Sequence, residues 1–299
     1  MGTQFSWFYD IGAVAVLLIC VYLSGKNGFF KGTVTAVGCI LGAVIAVSVS
    51  SSVSASLYKT TVRDSNVNKF EKTVIDTDIS LNMKNALEGM EYGVIVNTKK
   101  LDEIFDSDKD IDEQLYKYMN NINGKVVDEE ESFHKNLLEC YSMVMKKLIS
   151  NDVSKYAAET ASQKIIDGEA DFGILIRQIR DDDSRKKAAQ VIADDYVADA
   201  YKNVIRLVVF IILFAIIFIV TVLTVKALTA SQRGDEDSTG SHIAGGVCGV
   251  ITGAVILFVI AVAVRLYVIL GSNEMLFFNN EAVDKTYIFK YAYNFLMKL

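Results

Sequence analysis

The feature that most constrains this chain is a set of four long stretches, residues 11–25, 32–58, 207–225 and 241–264, without Asp, Glu, Lys or Arg. A helix rises ~1.5 Å per residue and a bilayer's hydrocarbon core is ~30 Å thick, so about 20 apolar residues cross it. The last three stretches meet that length. The first has only 15 residues and crosses only by taking in Phe5, Trp7, Phe8 and Tyr9, which carries Asp10 to the membrane edge or inside it. No Lys or Arg precedes Lys26, whereas a cleavable signal peptide carries positive charge before its apolar run. The first stretch is therefore expected to be a retained span. Proline is absent from all 299 residues, which removes the strongest helix breaker and leaves Gly, Asn and Asp clusters to end helices.

The expected fold is an all-α membrane protein with four transmembrane helices and a large helical soluble domain inserted between helices 2 and 3. The expected divisions are a first transmembrane hairpin at 5–58, an acidic helical domain at 59–202, a second hairpin at 203–270 and a tail at 271–299. Within 59–202, Leu137, Leu138, Tyr141, Met145, Leu148 and Ile149 recur at helical spacing, as do Ala188, Ile192, Tyr196, Ala200 and Val204. Loops are expected at 106–112, at 120–124 followed by the acidic run 128–131, and at 167–173. From 174 to 231 there is neither Gly nor Pro, which predicts one long helix entering the third span, with the charged patch 180–187 on its solvated face.

The segment 59–202 holds 29 acids and 21 bases, a net charge of −8. Phosphate backbones require clustered Lys and Arg, so nucleic acid is not an expected partner. Three of the four cysteines, Cys20, Cys39 and Cys248, lie in the spans. Only Cys140 lies in the soluble part, which excludes a disulfide inside it. His134 and His242 are isolated and no CxxC pair occurs, so no metal site and no cofactor is expected.

Small residues at four-residue spacing stand out. Gly28, Gly32, Gly38 and Gly42 fall in and before span two, and Gly245, Gly249 and Gly253 form a glycine zipper along span four. In lipid, where helices gain little from the hydrophobic effect, such positions let backbones approach closely. They serve as internal packing, as a homo-oligomer face or as a gating seam. Asp10 is an ionisable group at the apolar zone, or else caps the first helix at its amino end. Arg206 and Arg265, flanking spans three and four, are expected to snorkel to the interface and are candidate counter-ions for Asp10. The hairpin Gly25-Lys-Asn-Gly-Phe-Phe-Lys-Gly32 carries Lys26, Phe29 and Lys31 and no acid, so the positive-inside rule puts it in the cytoplasm. The amino terminus, the large domain and the carboxyl tail are then extracytoplasmic.

No nucleophile elbow, zinc-protease motif or phosphate loop occurs, and the chain is not expected to be an enzyme. The opening Trp7-Phe-Tyr-Asp-Ile-Gly, the Gly25–Lys31 hairpin with Gly28, Phe29 and Lys31, and the series Gly245, Gly249, Gly253 together resemble the colicin V production (CvpA) family. The sequence departs from that pattern at Asn27, Gly32, Thr252 and Ser241-His242. The resemblance implies a bacterial inner-membrane, multi-pass protein with a role in producing or exporting a peptide toxin, or in envelope maintenance, without an established reaction. On this reading the partners are membrane lipid and a protein bound at the soluble domain. The competing expectation is a small oligomeric transporter or channel with glycine-lined helix seams.

Overall fold

A computed structural model describes residues 2–231 and 238–296. All regular structure among the described residues is helical. After a 3-10 turn at Gly2–Phe5 come α1 (Ser6–Leu57), α2 (Arg63–Asp76), α3 (Ile79–Glu88), α4 (Thr98–Phe105), α5 (Ile111–Asn123) and α6 (Glu130–Ile149). There follow α7 (Lys155–Ile166), α8 (Phe172–Arg180), α9 (Arg185–Val191), α10 (Ala198–Ser231), α11 (Thr239–Leu270), α12 (Asn280–Asp284) and α13 (Phe289–Leu296). Two π-helical turns, Tyr58–Val62 and Ile192–Val197, precede α2 and α10. The chain divides into two compact units, one of Met1–Ser56 with Asn203–Leu299 and one of Leu57–Lys202. Three helical stretches are long and apolar enough to cross a membrane: Ser6–Asp76, Arg185–Leu228 and Thr239–Leu270.

In the first unit, α1 is two helices joined at Gly28, whose φ of 79° and ψ of 174° fall in a region that essentially only glycine adopts. The contacts on α11 show the chain doubling back there. Leu17, Val21 and Ser24 lie against Gly253, Gly249 and Gly245 in that order. The Phe29 N–H then donates to Ser241 Oγ at 2.9 Å, and Gly32 returns to Gly245 and Cys248. Further along the second arm, Gly38 meets Thr221 and Gly42 meets Ile217 of α10. The sequence predicted an eight-residue connection; one glycine suffices, because its backbone reaches a conformation closed to other residues. The segment expected to be a tail instead folds back: Phe289 and Tyr293 of α13 bury against Leu257, Ala261, Val264 and Val268 of α11, with Tyr9 and Ala13.

The second unit has its own core. Phe133, Leu137, Tyr141, Met145 and Leu148, spaced as one helical face, are buried in the middle of it. Helix starts are marked by capping side chains, as Asp78, Asn97, Asp110, Ser154 and Asp171 each accept a backbone N–H from the first turn of α3, α4, α5, α7 and α8. Gly124 ends α5 in the left-handed region at φ 70°. Two expectations are corrected here. Residues 120–123, expected in a loop, are the last turn of α5. The long helix expected from 174 breaks at 181–184, where Asp181 is extended (φ −83°, ψ 111°) and its carboxylate takes the Ser184 hydroxyl at 2.6 Å. The patch 180–187 therefore straddles two helices. Arg180 turns away from solvent to Asp102, Asp106 and Ser80.

Candidate functional site

Each unit holds one group of candidate residues. In the first, the α11 zipper is filled by the first arm of α1. A Cβ on Gly249 would lie 2.6 Å from Cys20 O and Val21 Cα, one on Gly245 2.6 Å from Ser24 O, and one on Gly253 2.9 Å from a Leu17 methyl. Gly38 and Gly42 are likewise met by Thr221 and Ile217. The α11 glycines thus let two helices of one chain touch along their backbones, while Gly38 and Gly42 receive side chains of α10.

At the Gly28 turn, Lys26 lies before the break and Lys31 after it, with Phe29 and Phe30 exposed. His242 Nδ1 lies 2.8 Å from the Gly25 carbonyl. A carbonyl only accepts, so this ring nitrogen is the donor. Thr33 Oγ1 and Cys248 Sγ, 3.4 Å apart, tie the second arm to α11.

Asp10 is a capping residue for another helix. Its carboxylate accepts the backbone N–H groups of Tyr287 (2.7 Å), Ile288 (2.8 Å) and Phe289 (3.2 Å), the entry to α13. Beside it the Tyr9 hydroxyl donates to the Phe277 carbonyl at 2.5 Å, and the Tyr9 ring stacks on Phe289 with centroids 5.0 Å apart. The expected counter-ions are elsewhere. Arg265 donates to Asn280 Oδ1 and the Tyr293 hydroxyl at 3.4 and 3.3 Å, and Arg206 borders a small cavity with Val47, Ser50 and Phe210.

The second unit has a cleft that no sequence motif marked. Asp112, on the first turn of α5, accepts the Tyr141 hydroxyl at 2.6 Å and lies 3.2 Å from His134 Nδ1. His134 and Tyr141 are two turns apart on α6 and so share a face. Burial raises the Asp112 carboxyl above its ordinary 3.8, helped by Asp110 and Asp171 and opposed by the Tyr141 hydrogen bond and His134. Burial, then Asp112, pushes the Tyr141 hydroxyl well up. Two cavities of about 570 and 270 Å³ share Asp110, Asp112 and His134. Glu113, Glu130 and Glu131 line the larger, and Asp171 and Arg177 line the smaller. Among the described residues, no group of three or more His, Cys, Asp or Glu is arranged to hold a metal ion. The cleft's chemistry is that of an open acidic surface with an apolar floor at Phe133 and Tyr116, suited to a cationic side chain with an alkyl stem.

Sequence reading missed it because its residues come from separate helices, and Asp110-x-x-Glu113 reads as a helix cap. The lone His134 was the only available signal. No family model, curated protein or solved structure matches the chain.

Proposed function

We propose that the protein is a multi-pass membrane protein that docks a basic segment of a partner protein in the acidic cleft of its helical unit, without catalysing a reaction. The cleft carries this reading: it brings at least five carboxylates of two helices and two loops around one half-buried His–Asp–Tyr group. Support for the membrane part is the ring of exposed apolar side chains on α1, α10 and α11, among them Leu18, Leu41, Ile216, Ile219 and Val247. In water such a surface is an association liability; in lipid it is the required exterior.

The arms 6–27 and 29–57 would be about 33 and 43 Å long at 1.5 Å per residue. Each is long enough to cross separately, which gives four crossings with α10 and α11. With the basic Gly28 turn in the cytoplasm, the helical unit and α13 face the other side. The resemblance to the colicin V production family adds a bacterial inner membrane and a role in peptide toxin export or envelope maintenance. That part of the reading rests on the motifs of 7–58 and 196–270.

A photo-crosslinking amino acid at Glu131 of the full chain, in native membranes, should give a discrete adduct. Glu130→Lys with Asp110→Lys should abolish it, and high salt should weaken it. An adduct indifferent to both would refute docking by charge. Orientation is read from Lys109→Cys, an exposed position, with a membrane-impermeant maleimide. Labelling in intact cells is expected, and labelling only after lysis inverts the topology. Cys140 itself cannot report, being 1% exposed.

A further inference from the structure

We propose that the groove between the first arm of α1 and α11 holds an anionic phospholipid, with an acyl chain along the groove and its phosphate at Lys26. The proposal rests on the membrane reading above and adds a ligand to it. The groove has a volume of about 600 Å³ and opens to the outside of the unit, within the range of small-ligand sites, ~300–1,000 Å³. It exists because Gly246 carries no side chain where Val21, Tyr22, Val247 and Val250 form the walls, whereas Gly25 lies close against α11, a Cβ there being 3.3 Å from His242 O. A Cβ on Gly246 would meet only Val21 Cγ1, at 3.7 Å. Unlike the zipper glycines beside it, Gly246 leaves its space unfilled.

The polarity of the groove changes along its length. Val21 and Val250 lie at one end, Lys26 and His242 at the other. The apolar end runs down helices long and apolar enough to cross a membrane, while the cationic end lies at the Gly28 turn. Apolar chain followed by negative headgroup is the same order. Lys26 is exposed, so its ammonium is free to move onto a phosphate, and Lys31 lies just past the turn. Along the two arms of α1 no acid occurs between Asp10 and Asp64. His242 contributes differently: its Nδ1 is engaged by the Gly25 carbonyl, which fixes the ring at the groove's polar end. The exposed Phe29 and Phe30 place aromatic rings at the same level, where they favour the interface.

The test uses the full chain reconstituted in bilayers, with Trp7→Phe removing the one tryptophan and Tyr22→Trp placing a reporter in the groove. The probes are brominated phosphatidylglycerol and brominated phosphatidylcholine, which quench tryptophan on contact. Quenching by the anionic lipid should exceed that by the zwitterionic one with a relative affinity of about five-fold, the effect of one basic residue at a lipid surface. Lys26→Gln should bring the ratio to about one and Lys26→Arg should keep it. Gly246→Leu, which fills the groove, should lower quenching by both. Equal quenching before any change at Lys26 overturns the proposal and leaves the membrane reading standing. An unchanged ratio in Lys26→Gln, or full quenching in Gly246→Leu, also overturns it. No quenching by either lipid overturns the membrane reading as well.

Discussion

If the glycine seam is a backbone-to-backbone contact, adding one methyl group should separate positions that sequence treats as equivalent. Gly246 and Gly249 lie one turn apart on α11. Alanine at Gly249 puts a Cβ 2.6 Å from Cys20 O and Val21 Cα, both backbone atoms that no rotamer change can move. Ordinary contact begins at 3.4 Å, so the first arm of α1 must retreat by about 0.8 Å. A gap of ~0.5–1 Å forfeits a quarter to a half of the dispersion energy of the atoms lining it, and overpacking of this kind costs about 1–3 kcal/mol. Alanine at Gly246 meets one methyl at 3.7 Å and incurs no such cost. Both changes gain the same helix propensity, ~1 kcal/mol, so the propensity cancels in the comparison. The steric difference of about 1–3 kcal/mol remains.

Gly38→Ala should fall between them. Its Cβ meets the Thr221 side chain closely, and a rotamer change that relieves the contact moves the Thr221 hydroxyl from the Ile217 carbonyl it bonds at 2.9 Å. The assay is thermal unfolding followed by a thiol-reactive fluorophore in a Cys140→Ala background, so that Cys20, Cys39 and Cys248 report on the apolar helices. At roughly 2–4 °C per kcal/mol for a chain of this size, Gly249→Ala should unfold several degrees below Gly246→Ala. Equal midpoints, or Gly249→Ala the higher, would refute the close seam.

Three further outcomes follow from named contacts. Asp10→Ala leaves three N–H groups of the α13 entry without an acceptor, a loss of about 1–2 kcal/mol, so amide exchange at 287–289 should rise roughly 5–30-fold while the centre of α11 is unchanged. Arg180→Ala leaves Asp102, Asp106 and Ser80 without their shared donor; with the two carboxylates part-exposed, screening limits the effect to about 1 kcal/mol, read as earlier thermal reactivity of Cys140. Asp112 and Asp106 should give opposite pH responses. The Asp106 carboxyl is lowered, first by its Arg180 hydrogen bond, so its contribution is present above 3.8 and lost as pH falls through the lowered value; Asp106→Asn removes that acid-side loss. The Asp112 carboxyl is raised by burial, so its contribution is present below 3.8 and lost as pH rises through the raised value. Asp112→Asn, which keeps an acceptor for Tyr141, should abolish that loss, and unfolding midpoints measured across the acid range decide both.

The apolar half of the chain was largely legible because burial in lipid and burial in protein ask for the same residues over the same lengths. Helicity across the four uncharged stretches follows from composition and from the absence of proline. What spacing could not distinguish was one glycine from another. Gly28 is required by its φ of 79°, Gly249 by a neighbouring backbone at 2.6 Å, and Gly246 by neither. All three read alike in a sequence, since each is defined by what faces it. Asp10 shows the same limit: an aspartate at the edge of an apolar run signals a charge near lipid, but its three partners lie 277–279 residues away.

In the acidic unit the sequence conveys each helix and little of their assembly. Capping residues announce where α5 and α8 begin, and the 181–184 break was missed because Asp and Ser compete with the helix through their own short hydrogen bonds rather than through Gly or Pro. The cleft is a product of that assembly. Asp110 and Asp171 serve as caps and also face the cavity beside Asp112, so residues explained by local structure acquire a second role only once α5, α6 and α8 converge. The charge at this site is therefore tied to the helix starts. Removing it with Asp110→Lys tests docking but also removes a cap, whereas Glu130→Lys and Glu131→Lys, at the cavity rim, remove no capping hydrogen bond and reverse charge in the first turn of α6. A docking defect shared by the rim changes and Asp110→Lys would belong to the charge, and one confined to Asp110→Lys would belong to the cap.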